Sequence, residues 1–231
     1  MNKVLRFNFL VIGLVILMSS VTGVKAQNVL GEVLRRMDLN NSSLQSLQSN
    51  VTMVKHNPQL NVSDTYNGST KYLPKTAKRV RYIRLDWAKP TVEQVSVIGD
   101  KYELYKPSIN QVYTGQVGKA QNSAGAGNVL GFMNMSKDEL KENYSITFIA
   151  EEKIKGDIKT AHLLLTPKSQ TSYKSAEIWV DVDGMPRQVK ITEQNNDTTT
   201  VLLDNIVKNG TVKADDFLLK YDRKKVKYVK A

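Results

Sequence analysis

The sequence predicts an α+β fold that is mainly β: a mostly antiparallel sheet of about eleven strands, one N-terminal helix and two short central helices. Three observations carry this. Apolar residues recur at helical spacing near the start and then alternate with a period of two through most of the chain. Turn signals and prolines separate the alternating runs at short intervals. One central stretch breaks the alternation with small residues followed by a capping box.

Taken in order, Lys3 and Arg6 precede an apolar run of twelve residues, Phe7 to Met18, too short to span a bilayer. Val24 and Ala26 then stand at −3 and −1 of a cut. Residues 1–26 are expected to be a cleaved secretory signal and residues 27–231 a single domain. Removing the signal takes away Lys3, Arg6 and Lys25 and no acid, so the formal charge falls from +11 to +8 over 205 residues. That charge favours anionic surfaces, whether phospholipid headgroups or an acidic partner. Nucleic acid is excluded as the partner, because the basic residues are spread along strands and no aromatic-basic RNA motif occurs. With no cysteine there is neither a disulfide nor a lipobox, and a soluble periplasmic monomer is the expectation.

Leu30, Val33, Leu34 and Met37 form the apolar stripe of the first helix, which Asn40–Ser43 kinks or ends before Leu44, Leu47 and Val51. Strands are expected near 50–57, 64–72, 79–87, 92–98, 101–106 and 111–116, with Gly99-Asp100 as a hairpin turn. A small-residue loop, 118–127, leads into Val129, Leu130, Phe132, Met133 and Met135. Ser136-Lys137-Asp138-Glu139 then starts a helix running to about Asn143. Further strands are expected near 144–153, 158–166, 175–182, 186–193, 198–206 and 216–220. Asp183-Gly184 reads as a type I′ turn and Asn209-Gly210 as another turn.

Alternation places Ile83, Leu85 and Trp87 on one face of their strand, with Val80, Tyr82 and Arg84 on the other. Ile178, Val180 and Val182 oppose Trp179 and Asp181, and Val201 and Leu203 fall together. A curved sheet of this width encloses more volume than three short helices fill. Each of these positions is therefore either plain core or the lining of a hollow. The segment carrying Leu130, Phe132, Met133 and Met135 is likewise either core or an adaptable lid, since Met fits varied apolar surfaces.

Catalytic chemistry finds no foothold. His56 and His162 stand alone in sequence, and no metal-ligand spacing, nucleophile elbow, P-loop or dinucleotide fingerprint occurs. Asp181 and Asp183 flank a turn, where carboxylates are usually solvated. No cofactor and no enzyme activity are expected.

Several segments, in order, resemble the LolA family of periplasmic lipoprotein carriers across nearly the whole chain after residue 26. They are "LGEVLRRMDLNNSSLQSLQSNVTM", "GSTKY", "IGDKYELYKPSINQV", "HLLLTPK", "WVDVDGMPRQVKITEQNNDTTTVLLDNI" and "NGTVKADDFLL". The resemblance implies an incomplete, half-open β-barrel with a helical lid that holds lipoprotein acyl chains. It implies loading from an inner-membrane ABC exporter and delivery to an outer-membrane acceptor. In "AKRVRYIRLDWAKP" it aligns Lys78-Arg79 with the family's Lys-Arg-Pro step, where the arginine latches the lid; Val80 stands in place of the proline. Arg79 is thus either a latch or a plain strand arginine. A lipid or glycolipid carrier, an RseB-like sensor of envelope stress and a structural surface protein are the other readings. RseB-like sensors carry a further C-terminal domain, whereas here about ten residues follow Phe217–Lys220.

Overall fold

The computed structural model describes residues 21–117 and 135–230, with side chains from residue 28. The expected signal therefore lies outside the described residues except for its last few, and so do Leu130, Phe132 and Met133. Helix α1 (Val21–Ser43) leads into a twelve-stranded sheet: β1 (Leu47–Asn57), β2 (Val62–Leu73), β3 (Tyr82–Lys89), β4 (Glu93–Ile98), β5 (Lys101–Lys106) and β6 (Gln111–Gln116) form one half. After the short helix α2 (Lys137–Asn143) come β7 (Tyr144–Ile154), β8 (Ile158–Pro167), β9 (Tyr173–Asp181), β10 (Pro186–Glu193), β11 (Thr198–Lys208) and β12 (Lys227–Lys230).

Spatial order is β12-β6-β5-β4-β3-β2-β1-β11-β10-β9-β8-β7. Two antiparallel meanders thus join where β1 pairs with β11, Val51 opposite Leu203. β7 and β12 stand at opposite edges, so the sheet is open. Among the described strands, only β12 runs parallel to its neighbour, β6.

The alternation read from the sequence sets which face is buried. Ile83, Leu85 and Trp87, Ile178 and Val180, Val201 and Leu203 are all buried in one cluster on the concave face. Val33, Leu34 and Met37 of α1 complete it, so α1 lies over that face. The helix stops at Ser43 because the Asn209 side chain takes over its end: its carboxamide oxygen accepts from the Gln45 N–H at 2.7 Å and its Nδ2 donates to the Ser43 carbonyl. α2 starts as its sequence dictates. Ser136 and Glu139 cap each other reciprocally, and Leu140 is fully buried.

Four expectations are corrected. No strand forms at 216–220. A 3-10 turn, Ala214–Phe217, sits there, and the chain crosses the convex face as a strap whose Phe217 is fully buried against Tyr82. The last strand is instead Lys227–Lys230, and the sheet has twelve strands where about eleven were expected. Asp183-Gly184 is not type I′, which requires positive φ at both central residues; here only Gly184 has it, at 82°. Val182 does not share the buried face of Ile178 and Val180, because β9 ends at Asp181 and Val182 turns out to solvent.

Two positions tie the architecture to measurable stability. Gly184 packs so close to α1 that an added Cβ would stand 2.2 Å from the Arg36 carbonyl carbon and 2.7 Å from the Met37 nitrogen. Gly184→Ala is expected to cost about 2–4 kcal/mol, from positive φ plus overpacking, read as a lower urea midpoint. Tyr72 lies in the concave cluster, and burial pushes its phenol up to about 12 against the opposing pull of Arg81 and Arg79. A raised folded pKa keeps its stabilising contribution below the unfolded value near 10 and loses it as pH climbs toward 12. Unfolding free energy should therefore fall by about 2 kcal/mol over that window, and Tyr72→Phe should remove that share of the fall.

Candidate functional site

The candidate site is the concave face under α1. The sequence nominates fifteen lining residues, and twelve are described. Ten of those are buried in a single cluster: Val33, Leu34, Met37, Ile83, Leu85, Trp87, Ile178, Val180, Val201 and Leu203. Leu30 and Met135 are partly buried and pack against it. The sheet brings them together because consecutive strands share register: Leu85 sits opposite Val95 and Thr70, and Ile178 opposite Val189 and Leu163. The strand residues among them face inward because each strand keeps the period of two, and Val33, Leu34 and Met37 because they share one stripe of α1.

Polar ties hold α1 on this face at its margins. Arg36 Nη1 donates to the Val182 carbonyl at 2.9 Å, and Lys208 Nζ donates to Asn40 Oδ1 at 3.0 Å. Asn40 Nδ2 in turn meets Met185 Sδ at 3.5 Å. The β9–β10 turn that receives Arg36 is itself fixed by Asp181. This carboxylate is buried rather than solvated as expected. It accepts from the N–H groups of Asp183 and Met185 and from Arg187 Nε at 2.6 Å.

Where α1 passes the β7–β8 and β9–β10 turns, a cleft of about 430 Å³ opens to solvent. Its floor includes the concave residues Ala161 and Val180, and Arg36, Glu151, Lys153 and Lys159 stand among its walls. Apolar interior and charged surface meet here.

Arg79, the expected latch, lies on the connection from β2 to β3. Its guanidinium donates to the Pro74 carbonyl at 3.2 Å and reaches the Gln45 carbonyl, just past α1, at 3.5 Å. It therefore bridges two connections at the α1 end of the sheet.

Sequence reading missed a polar cluster on the convex face. His162 stacks on Trp179 with ring centroids 4.2 Å apart. Its Nδ1 lies 2.9 Å from Glu152 Oε1 and its Nε2 2.9 Å from Glu177 Oε2. Trp179 Nε1 donates to the same Glu152, and Lys190 pairs with Glu177 at 3.0 Å. The signal lay in cross-strand alignment: His162 pairs with Trp179 in register, and the acids come from flanking positions on β7 and β9. Among the described residues no acid–histidine group is arranged to hold a metal ion. Nearer α2, burial raises the Tyr173 phenol well above its usual range, helped by its 2.5 Å hydrogen bond with the Tyr144 hydroxyl. That pair links β7 to β9 across the intervening β8.

Among the described residues no helix is long and apolar enough to cross a membrane. A search of curated protein sequences finds no match. Similar solved folds include an uncharacterized conserved protein from Thermus thermophilus, with TM-score 0.56 and 10% identity over 88% of this chain and 99% of that one. MucB is similar at TM-score 0.52 and 12% identity, over 82% of this chain and 62% of MucB. The Pseudomonas aeruginosa MucA/MucB complex gives TM-score 0.50 and 14% identity, over 82% of this chain and 60% of that one. The chain thus spans about three fifths of those two chains. At such identities the likeness speaks to fold alone. The sequence model of the family described as outer membrane lipoprotein carrier protein LolA matches residues 40–220. The chain therefore belongs to the LolA family, the family of outer membrane lipoprotein carrier proteins.

Proposed function

We propose that this protein is a periplasmic carrier that shields the acyl chains of lipoproteins on its concave face and moves them from the inner to the outer membrane. Residues 1–26 serve as its export signal, an inner-membrane ABC exporter loads it, and an outer-membrane acceptor unloads it. The observation that carries the reading is the continuous apolar cluster in which seven nominated strand residues meet three nominated residues of α1, in an open sheet of this family.

The physical need is large. Burying acyl carbon gains about 0.8 kcal/mol per methylene, so one long chain is worth on the order of 10 kcal/mol. Such a chain does not cross water unassisted. Val33, Leu34 and Met37 offer it one wall, Ile83, Leu85 and Trp87 a second, and Ile178 and Val180 a third. The segment with Leu130, Phe132, Met133 and Met135 acts as the lid, and Arg79 is its latch.

Purified, delipidated protein is expected to bind a fluorescent acyl probe. Leu130→Asp, Phe132→Asp and Trp87→Gln should each weaken binding about tenfold or more, with thermal unfolding run alongside because Trp87 is buried. Unchanged affinity in all the variants that remain folded overturns the reading. Mass spectrometry of co-purified cargo decides its class: lipid-modified peptides support lipoprotein transport, whereas phospholipid or glycolipid alone replaces it with lipid carriage.

A further inference from the structure

The two ends of the sheet differ in what they expose. The turns β1–β2, β3–β4 and β5–β6 all lie at the end opposite the 430 Å³ cleft, because β1, β3 and β5 run in the same direction. Each turn exposes an aliphatic side chain: Leu60 at 73%, Val92 at 51% and Ile109 at 52% relative exposure. Alternate turns of adjacent hairpins stand about 10 Å apart, twice the strand spacing, so the three tips form a row.

The basic end of the chain completes that row. Residues 220–230 hold six lysines or arginines and one acid. The strap brings them to the same end: the Lys227 N–H donates to the Asn110 carbonyl at 3.1 Å, and Asn110 Nδ2 donates to the Lys225 carbonyl at 2.8 Å. Arg223, Lys224 and Lys225 are exposed there, beside Ile109. Tyr221 anchors the segment, its ring 5.0 Å from Tyr105 and its hydroxyl donating to Glu103.

We infer that this fringe docks the protein on an anionic phospholipid surface, with Leu60, Val92 and Ile109 entering the headgroup layer and Arg223, Lys224 and Lys225 meeting lipid phosphates. A bilayer fits better than a protein partner. The three aliphatic tips sit on separate hairpins and form no continuous patch of the kind that a specific protein interface packs. Lipid demands no shape complementarity, only apolar tips and neighbouring cations. The inference stands apart from acyl-chain binding, which uses the concave face.

Flotation of the full protein with vesicles of phosphatidylglycerol and phosphatidylethanolamine, against pure phosphatidylcholine, tests it. Wild type should bind the anionic vesicles and leave the neutral ones. Replacing all three tips (Leu60→Ser, Val92→Ser, Ile109→Ser) should weaken partitioning at least about tenfold. Replacing the three cations (Arg223→Gln, Lys224→Gln, Lys225→Gln) should weaken it about a hundredfold, at roughly fivefold per charge. Acyl-probe binding should be unchanged in both, since every altered side chain is exposed. Failure of wild type to bind anionic vesicles overturns the inference, as does binding that salt abolishes but the tip substitutions leave intact.

Discussion

Everything in this molecule depends on one helix covering the concave face of a very wide sheet. Twelve strands at about 4.8 Å would span roughly 55 Å if flat, whereas a helix with its side chains is about 10 Å across. The apolar faces of so many strands can meet one helical stripe only if the sheet curls around it. Val33, Leu34 and Met37 are thus the axis on which strands as distant in the sheet as β3 and β9 converge. The close approach of Gly184 to the α1 backbone is part of the same constraint, since a side chain there would hold helix and sheet apart.

Curling without closing leaves two edges, and each is protected differently. β12 is short, carries Lys227 and Lys230, and follows a strap whose buried Phe217 and Leu219 pin it to the convex face. Short, lysine-bearing edges resist pairing with another chain. β7, at the far edge, carries Glu151, Glu152 and Lys153 just before its last residue, Ile154, and α2 packs against it. The convex face is correspondingly divided: the strap covers the half containing β3 to β5, while the His162–Trp179 stack with its flanking acids covers the half containing β8 and β9.

Local signals were legible in the sequence and nonlocal ones were not. The stripe of α1, the alternation of β3, and the Ser136–Glu139 cap each depend on residues within a few positions of one another, and all form as read. The strap misled because Phe217 and Leu219 alternate like strand residues, yet their partners are side chains on a sheet face rather than backbone on a sheet edge. β12 gave no warning, since its pairing with β6 reaches back more than a hundred residues. Asp181 looked solvated because nothing nearby in sequence announces that Arg187 and the turn N–H groups will converge on it. His162 looked solitary for the same reason: its acids arrive from neighbouring strands. The shared buried face of Ile83, Leu85, Trp87, Ile178, Val180, Val201 and Leu203 was legible because alternation decides which face an apolar strand residue takes.

On the carrier reading, the energetics of that lining explain how cargo can both enter and leave. Fully burying Val33, Leu34 and Met37 is worth about 1.5–3 kcal/mol each, and the ties from Arg36, Asn40 and Asn209 add about 0.5–1.5 kcal/mol apiece. The sum is on the order of 10 kcal/mol, close to what one long acyl chain gains on the same surface. Helix and guest therefore compete for one apolar face on nearly equal terms. Displacing α1 or the lid by a chain is close to balanced, and modest extra contacts at the loading or unloading site suffice to tip it either way. A carrier with a permanently open hollow would lack this balance: it would gain the whole transfer free energy on loading and would need an external energy source to release its cargo.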